Sequence, residues 1–334
     1  MSVLDSLKSH FTSEFPRLAS GQYIHIIALR HSQSFPIFQT DGVLNTARTQ
    51  AGLETKDPVG RLVMFKRKQT TPERLAGREL LRSMNLTSAE DEKADNYCAY
   101  NGEKSCKKCP DCILYGFAIG DSGAERSKVY SDSAFSLTPY ETSHHSMTFN
   151  APSEGGTMSE GGQMRHSINE QDHVIPEVTF PAVETLRDTT YEGFLYVLGN
   201  FLRTRRYGAQ ESRTGTMKNH IVSIAFCDGE IFSNLHFTQA LYDAMKPDLN
   251  APIDELKARA TTVARELLDR EPVRQNPVLF GEEVEALLEE VGALYRDETR
   301  LTETMGTLYQ QTLTYAQKYG AFANPKKKSG KSKS

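Results

Sequence analysis

The chain has 334 residues, 38% of them hydrophobic and 25% charged, with a formal net charge of -4. That length and hydrophobic content suffice for one large domain or two ordinary ones and exclude a disordered chain. The net negative charge excludes a uniformly basic nucleic-acid binder, and no apolar run reaches the roughly 18 residues that span a bilayer.

The opening MSVLDSLKSHF has neither the basic start nor the long apolar stretch of a signal peptide. A cytoplasmic protein with no membrane partner is therefore expected. In chain order, QYIHIIALR (22–30) and VGRLVMFKRK (59–68) are dense in β-branched and aromatic residues and predict strands. A helix is predicted over 72–84, with Thr71 as cap and Pro72 in the first turn. SKVYSDSAFSL (127–137) predicts a third strand and NHIVSIAFCDGEIF (219–232) a fourth. Between them TTYEGFLYVLGNFLRT (189–204) reads as a helix, aromatic enough to be partly strand.

After residue 250 the pattern turns helical. Ile253, Leu256, Ala260, Val263 and Leu267 recur at spacings of three and four, as do Val284, Leu287, Val291 and Leu294, and the segment from 302 on continues the pattern. The chain thus divides into a strand-rich part to about 250, a helical region over 251–322 and a basic tail, 323–334, that cannot bury anything. The fold class is α+β.

Charge is uneven along the chain. Residues 59–82 carry a net +5 and residues 196–220 a net +4, whereas 251–300 carry -5. Such asymmetry suits a protein that follows a phosphate backbone with one face, and it equally suits two solvated faces. The strongest phosphate-contacting candidates are Arg203, Arg205, Arg206 and Arg213, four forked donors within eleven residues, with Lys218 just beyond. Lys66, Arg67 and Lys68 follow; on a strand at most two of the three share one face. Two Glu-Gly-Gly units near 154–162 bracket Met158, with Met164, Arg165 and His166 after them. That glycine density marks either a plain loop or a finger reaching onto a ligand, where methionines can wedge between bases.

Four of the five cysteines fall within fifteen positions, spaced Cys98-x7-Cys106-x2-Cys109-x2-Cys112. Four sulfurs close a tetrahedral shell, the arrangement of structural zinc, with no position open to substrate. An iron-sulfur cluster remains open, although the fourth cysteine lies upstream instead of shortly downstream beside a proline. A zinc deaminase is excluded by the absence of any His-x-Glu, and a dithiol oxidoreductase has no use for a third evenly spaced cysteine. His144 or His145 can substitute for one sulfur, and Cys227 is expected to be a buried strand residue.

The order of features is a first strand, FQTDGVLNTART, RLVMFKRK, CAYNGEKSCKKCPDC, SKVYSDSAFSL, the Gly-rich excursion and NFLRTRRYGAQESRTG. In that order they resemble the large backbone subunits of type I-D CRISPR surveillance complexes (Cascade), members of the RAMP superfamily. The likeness spans roughly residues 15–320. It implies an RRM-like (ferredoxin-like) RNA-binding core over 15–250, a zinc-binding insertion at 85–116, a thumb-like β-hairpin at 145–182 and the helical region. It also implies a noncatalytic subunit of an antiviral complex that polymerises head to tail along CRISPR RNA and presents the guide to target DNA, alongside other subunits. Arg48 joins the RNA-binding candidates on this basis. One departure is the lack of an RNP-type aromatic signature, which favours backbone recognition over stacking on the sheet. Two alternatives stay open. One is a ribonuclease of the same superfamily acting through Asp41, which ordinary Asp-Gly turn chemistry also explains. The other is a zinc-stabilised RNA-binding protein unrelated to CRISPR.

Overall fold

The computed structural model describes residues 2–40, 42–101, 104–119, 123–149, 159–160, 163–164, 169–208 and 212–320. In chain order the elements used below begin with α1 (Val3–Leu7), β1 (Tyr23–Ser32), β2 (Thr46–Gln50), β3 (Pro58–Met64), α2 (Lys66–Ser83) and α3 (Pro110–Leu114). They continue with β4 (Val129–Ser131), β5 (Ala134–Phe135), β6 (His144–Phe149), β7 (Asn169–Val174), β8 (Thr179–Arg187) and α4 (Tyr191–Arg203). The last third holds β9 (Met217–Cys227), α5 (Asn234–Met245), α6 (Ile253–Leu268), β10 (Gln275–Phe280), α7 (Glu282–Arg296) and α8 (Glu298–Lys318). No helix among the described residues is long and apolar enough to cross a membrane.

β1 is the centre of a five-stranded antiparallel sheet whose order is β10, β9, β1, β8, β4. It pairs with β8 from Tyr23 opposite Arg187 to His31 opposite Thr179, and with β9 in a register that skips Val222. Its side chains alternate between two cores. Ile24, Ile26 and Ala28 meet α2, α4, α7 and α8, while Ile27 and Leu29 meet α5 and α6. Burial on both faces explains why the strand reads as a continuous apolar run. A third, smaller core of Phe38, Leu62, Met64, Phe180, Tyr207 and Met217 lies among β3, the segment before β2 and the start of β9. β6 and β7 pair from His144 opposite Val174 to Phe149 opposite Asn169 and form a hairpin's arms.

Several local expectations change. The strand predicted over 59–68 stops at Met64, and α2 begins at Lys66. Lys66, Arg67 and Lys68 therefore lie in a helical first turn and not on a strand, and Pro72 sits inside the helix. The cause is tertiary: Gln69, fully buried, donates from Nε2 to the carbonyls of Met64 (2.8 Å) and Asp132 (2.7 Å), turning the chain where the strand ends. The single strand predicted over 127–137 splits into β4 and β5, which belong to different sheets. The ambiguous segment 189–204 is helical throughout Tyr191–Arg203, capped by Thr190, whose hydroxyl accepts from the Gly193 amide at 3.2 Å. The three C-terminal helices lie where their periodicity puts them, but the region after 250 is not helical throughout: β10 runs between α6 and α7 and pairs with β9 at the edge of the central sheet. α5 went unpredicted although Ser233 caps it and Phe237, Leu241 and Met245 recur every fourth residue.

α2 and α4 cross closely at Gly77. A Cβ there would stand 2.3 Å from Asn200 Nδ2 and 2.4 Å from the Tyr196 hydroxyl, both buried. Alanine would gain about 1 kcal/mol of helix propensity, but overpacking a crossing costs about 1–3 kcal/mol. Gly77→Ala is thus expected to lower the urea or thermal midpoint, and an unchanged or raised midpoint would mean that the crossing yields freely.

Candidate functional site: a cysteine cluster and an arginine-lined groove

Cys98 lies in the loop between α2 and α3, Cys106 precedes a left-handed Lys107 (φ 61), Cys109 stands at the N-cap position of α3 and Cys112 lies within the helix. All four are buried and free of disulfides. Their sulfurs lie within 4.8 Å of one another, with Cys98 to Cys112 at 3.5 Å, Cys106 to Cys112 at 3.9 Å and Cys98 to Cys109 at 4.0 Å. Four sulfurs at ~2.3 Å from a common centre would be about 3.8 Å apart, so the set fits one metal ion without rearrangement. The Cys109 amide donates to Cys106 Sγ at 3.3 Å, which orients that sulfur inward.

The four thiols do not hold their protons equally. Hydrogen bonds from the other three thiols, with Arg78 beside it, hold Cys98 well below the usual thiol range, while the same bonds and burial push Cys109 and Cys112 up. A divalent cation would displace the remaining protons, because thiolate is the ligand. Among the described residues the group comprises cysteines alone. His144 does not substitute: it stacks on Tyr140 at 3.9 Å, with Nδ1 2.8 Å from the Tyr140 carbonyl, and His145 is exposed on β6. Cys227 is buried in β9, as expected.

α2 holds the cluster from one side. Asp111, fully buried in α3, receives a forked pair of bonds from Arg74 (2.9 Å each) and a third from Arg78 Nη1 (2.9 Å). Arg78 also reaches Cys98 Sγ at 3.4 Å and its carbonyl. Tyr309 of α8 and Phe117 pack on the sulfurs.

The other side of α2 forms a wall of a groove. Thr71, Pro72, Leu75, Ala76 and Glu79 face Arg203, Thr204, Arg205, Arg206 and Gly208 across a cavity of about 350 Å³. Arg203, Arg205 and Arg206 are exposed. Arg203 lies 5.8 Å over the Tyr295 ring, and Arg206 Nη1 donates to the Thr214 carbonyl at 2.5 Å. Lys66 and Arg67 are exposed in the first turn of α2, and burial followed by the Arg67 charge lowers the pKa of half-buried Lys68. Among the described residues none of these six cations has an ion-pair partner. Three cations in a helical first turn with no acid also oppose the macrodipole.

Arg213 and Lys218 are exposed before and at the start of β9, and Arg48 on the edge strand β2; none of the three lines the groove. Met158, Arg165, His166, Asp41 and the tail 323–334 lie outside the described residues. Of Met164 only its pairing with Ser159 in a short ladder is described.

Charge counting along 59–82 overstated the surface. Arg61 is fully buried and donates to the carbonyls of Ser136, Leu137 and Ala51; Arg78 is 2% exposed, and Arg74 is committed to Asp111. A buried network behind the groove also escaped the sequence reading. Arg30 Nη1 donates to Glu73 Oε1 (2.7 Å) and to the Tyr207 hydroxyl (2.9 Å), and its Nη2 bonds Glu184 at 3.2 Å. Tyr207 in turn donates to Glu73 Oε1 at 2.8 Å and accepts from Asn219 Nδ2 at 2.7 Å. Burial, and the neighbouring Glu73 carboxylate, raise the Glu184 pKa well above the carboxylate range.

A family model described as Csc2 Crispr matches residues 10–305. The crystal structure of Thermofilum pendens Csc2 aligns with TM-score 0.66 at 14% identity, covering 99% of this chain and 100% of that one; at this identity the likeness is one of fold. Two chains of CRISPR RNA-guided surveillance complexes, one described as pre-nicking, align with TM-score 0.48 at 14% and 13% identity, over 76% of this chain and 86% and 89% of theirs. No curated protein matches the sequence.

Proposed function

The chain belongs to the Csc2 family of CRISPR proteins, and from that membership we propose that it is a noncatalytic backbone subunit of a type I-D surveillance complex. In this reading it polymerises head to tail along CRISPR RNA and presents the guide to target DNA beside the other subunits. The observation that carries the RNA-binding role is the groove: three exposed arginines face the wall of a helix whose first turn holds three more unpaired cations. Cations at a helix start cost about 0.3–1 kcal/mol each, and a polyanion lying there would offset that cost.

The strand order β9, β1, β8, β4, with α2 and α4 in the two connections, supports an RRM-like (ferredoxin-like) core. Residues 15–250 would then form the RNA-binding core, 85–116 its metal-bearing insertion, 145–182 the thumb-like hairpin and 251–322 the helical region. The sheet face opposite α2 and α4 is covered by α5 and α6. Bases cannot stack there, so contact falls on the phosphate backbone and sequence is read by base pairing alone. The cysteines would hold zinc as a closed structural centre.

Sequencing the nucleic acid that copurifies with the protein from cells carrying its native locus tests this reading. Repeat-derived RNA of uniform length is the expected result. Mixed cellular RNA without repeat sequence would remove the CRISPR role and leave a general RNA-binding protein.

A further inference from the structure

We infer that Tyr207 and Glu73, both fully buried, are positioning residues that set the separation of the groove's two walls and thereby aim Arg205 and Arg206; the inference rests on the reading of the groove as an RNA-binding surface. Glu73 belongs to α2, between Pro72, which lines the groove, and Arg74, which holds the cysteine cluster. Tyr207 belongs to the opposite wall, between Arg206 and Gly208, and its ring is anchored in the small core beside Phe38 and Phe180. The 2.8 Å bond from the Tyr207 hydroxyl to Glu73 Oε1 therefore joins one wall to the other beneath the groove floor.

Other hydrogen bonds of the arginine segment lead elsewhere. The Met217 amide donates to the Arg205 carbonyl at 2.7 Å, Thr214 Oγ1 to the Tyr207 carbonyl at 2.8 Å, and Arg206 Nη1 to the Thr214 carbonyl. These fix the segment to β9 and the loop before it, not to α2. Among the described residues, hydrogen bonds between the walls run through Tyr207, Glu73 and Arg30, which bonds both. An apolar contact here would fill space and allow sliding. Two donors converging on one carboxylate oxygen fix direction as well as distance, and buried ionic groups are better attested for register than for net stability.

Tyr207→Phe separates positioning from folding. The ring stays, Glu73 keeps Arg30, and Asn219 keeps its bond to the Phe201 carbonyl at 2.6 Å, so no charge is stranded. Affinity of the purified chain for a single-stranded RNA of mixed sequence is expected to fall about tenfold, or about 1.4 kcal/mol, with the circular dichroism spectrum retained. Glu73→Gln, which keeps the accepting oxygen, should bind like the parent, and Glu73→Leu should match Tyr207→Phe. In an Arg206→Ala background Tyr207→Phe should cost little more, because coupled sites do not add. Tyr315→Phe on α8, which loses a hydroxyl bond to Glu125 and keeps its ring, is the control for ordinary loss of a hydroxyl bond. If Arg206→Ala weakens binding while Tyr207→Phe behaves like Tyr315→Phe, or if the two losses add in full, the positioning role is overturned and the groove reading stands. If Arg206→Ala itself has no effect, the groove reading fails and takes the inference with it.

Discussion

Replacing Cys106 and Cys109 together by serine is expected to abolish metal binding and leave the protein insoluble or unable to assemble. Metal analysis of the parent should give close to one zinc per chain. The size of the effect follows from magnitudes: structural zinc contributes an apparent ~10–16 kcal/mol in peptides at neutral pH, comparable to the ~5–15 kcal/mol that separates a folded domain from its unfolded chain. No small rearrangement offsets that loss. Asp111 would keep the guanidiniums of Arg74 and Arg78, but α3 would lose the centre that fixes its start. Prolonged exposure to a strong chelator should reproduce the serine variant. A brown protein with iron and labile sulfide would replace zinc by a cluster, and full solubility of the serine variant would remove the structural role.

Arg205→Ala with Arg206→Ala should weaken RNA binding about a hundredfold or more, equally for all sequences. Each hydrogen bond to a charged group contributes about 1.5–3 kcal/mol, so two lost phosphate contacts amount to about 3 kcal/mol or more. Counterion release adds a second signature. The slope of log affinity against log salt should flatten by ~0.7 per single-strand phosphate contact removed, or ~1.4 for the pair. Arg270→Ala, on the acidic helical side, supplies the comparison. Equal affinity and equal slope in the double variant and this control would mean that the RNA runs elsewhere. A loss confined to particular RNA sequences would point to base readout instead.

What could be read from the sequence was whatever depends on neighbours along the chain. β1 and β9 announced themselves by β-branched content, the C-terminal helices by spacings of three and four, and the cysteine set by two Cys-x-x-Cys steps sharing Cys109. What failed depends on depth or on distant partners. Nothing in RLVMFKRK says that the strand stops at Met64, because the turn is made by Gln69 bonding a carbonyl of Asp132. Arg61 and Arg78 look like surface charge in a linear count, yet their acceptors come from Ser136, Leu137 and Asp111. Glu73 enters a linear count only as one of two acids among the seven bases of 59–82 and is instead a buried tie between walls. The arginine segment was found for its charge, but the wall it faces was not, since Leu75 and Ala76 carry no signal apart from their place on α2.

The central position of β1 bears on how the protein is made. Both of its neighbours in the sheet come from far downstream, β8 beginning at Thr179 and β9 at Met217. About 150 residues separate Ser32 from Thr179, which at ~5–20 residues per second is about 7–30 s of synthesis. Throughout that interval a strand apolar on both sides is outside the ribosome with no partner to pair with. Long-range pairing of this kind is slow and exposed to aggregation. Yield in a heterologous host should therefore respond to temperature and to chaperones that shield nascent chains more than to any change in the finished core.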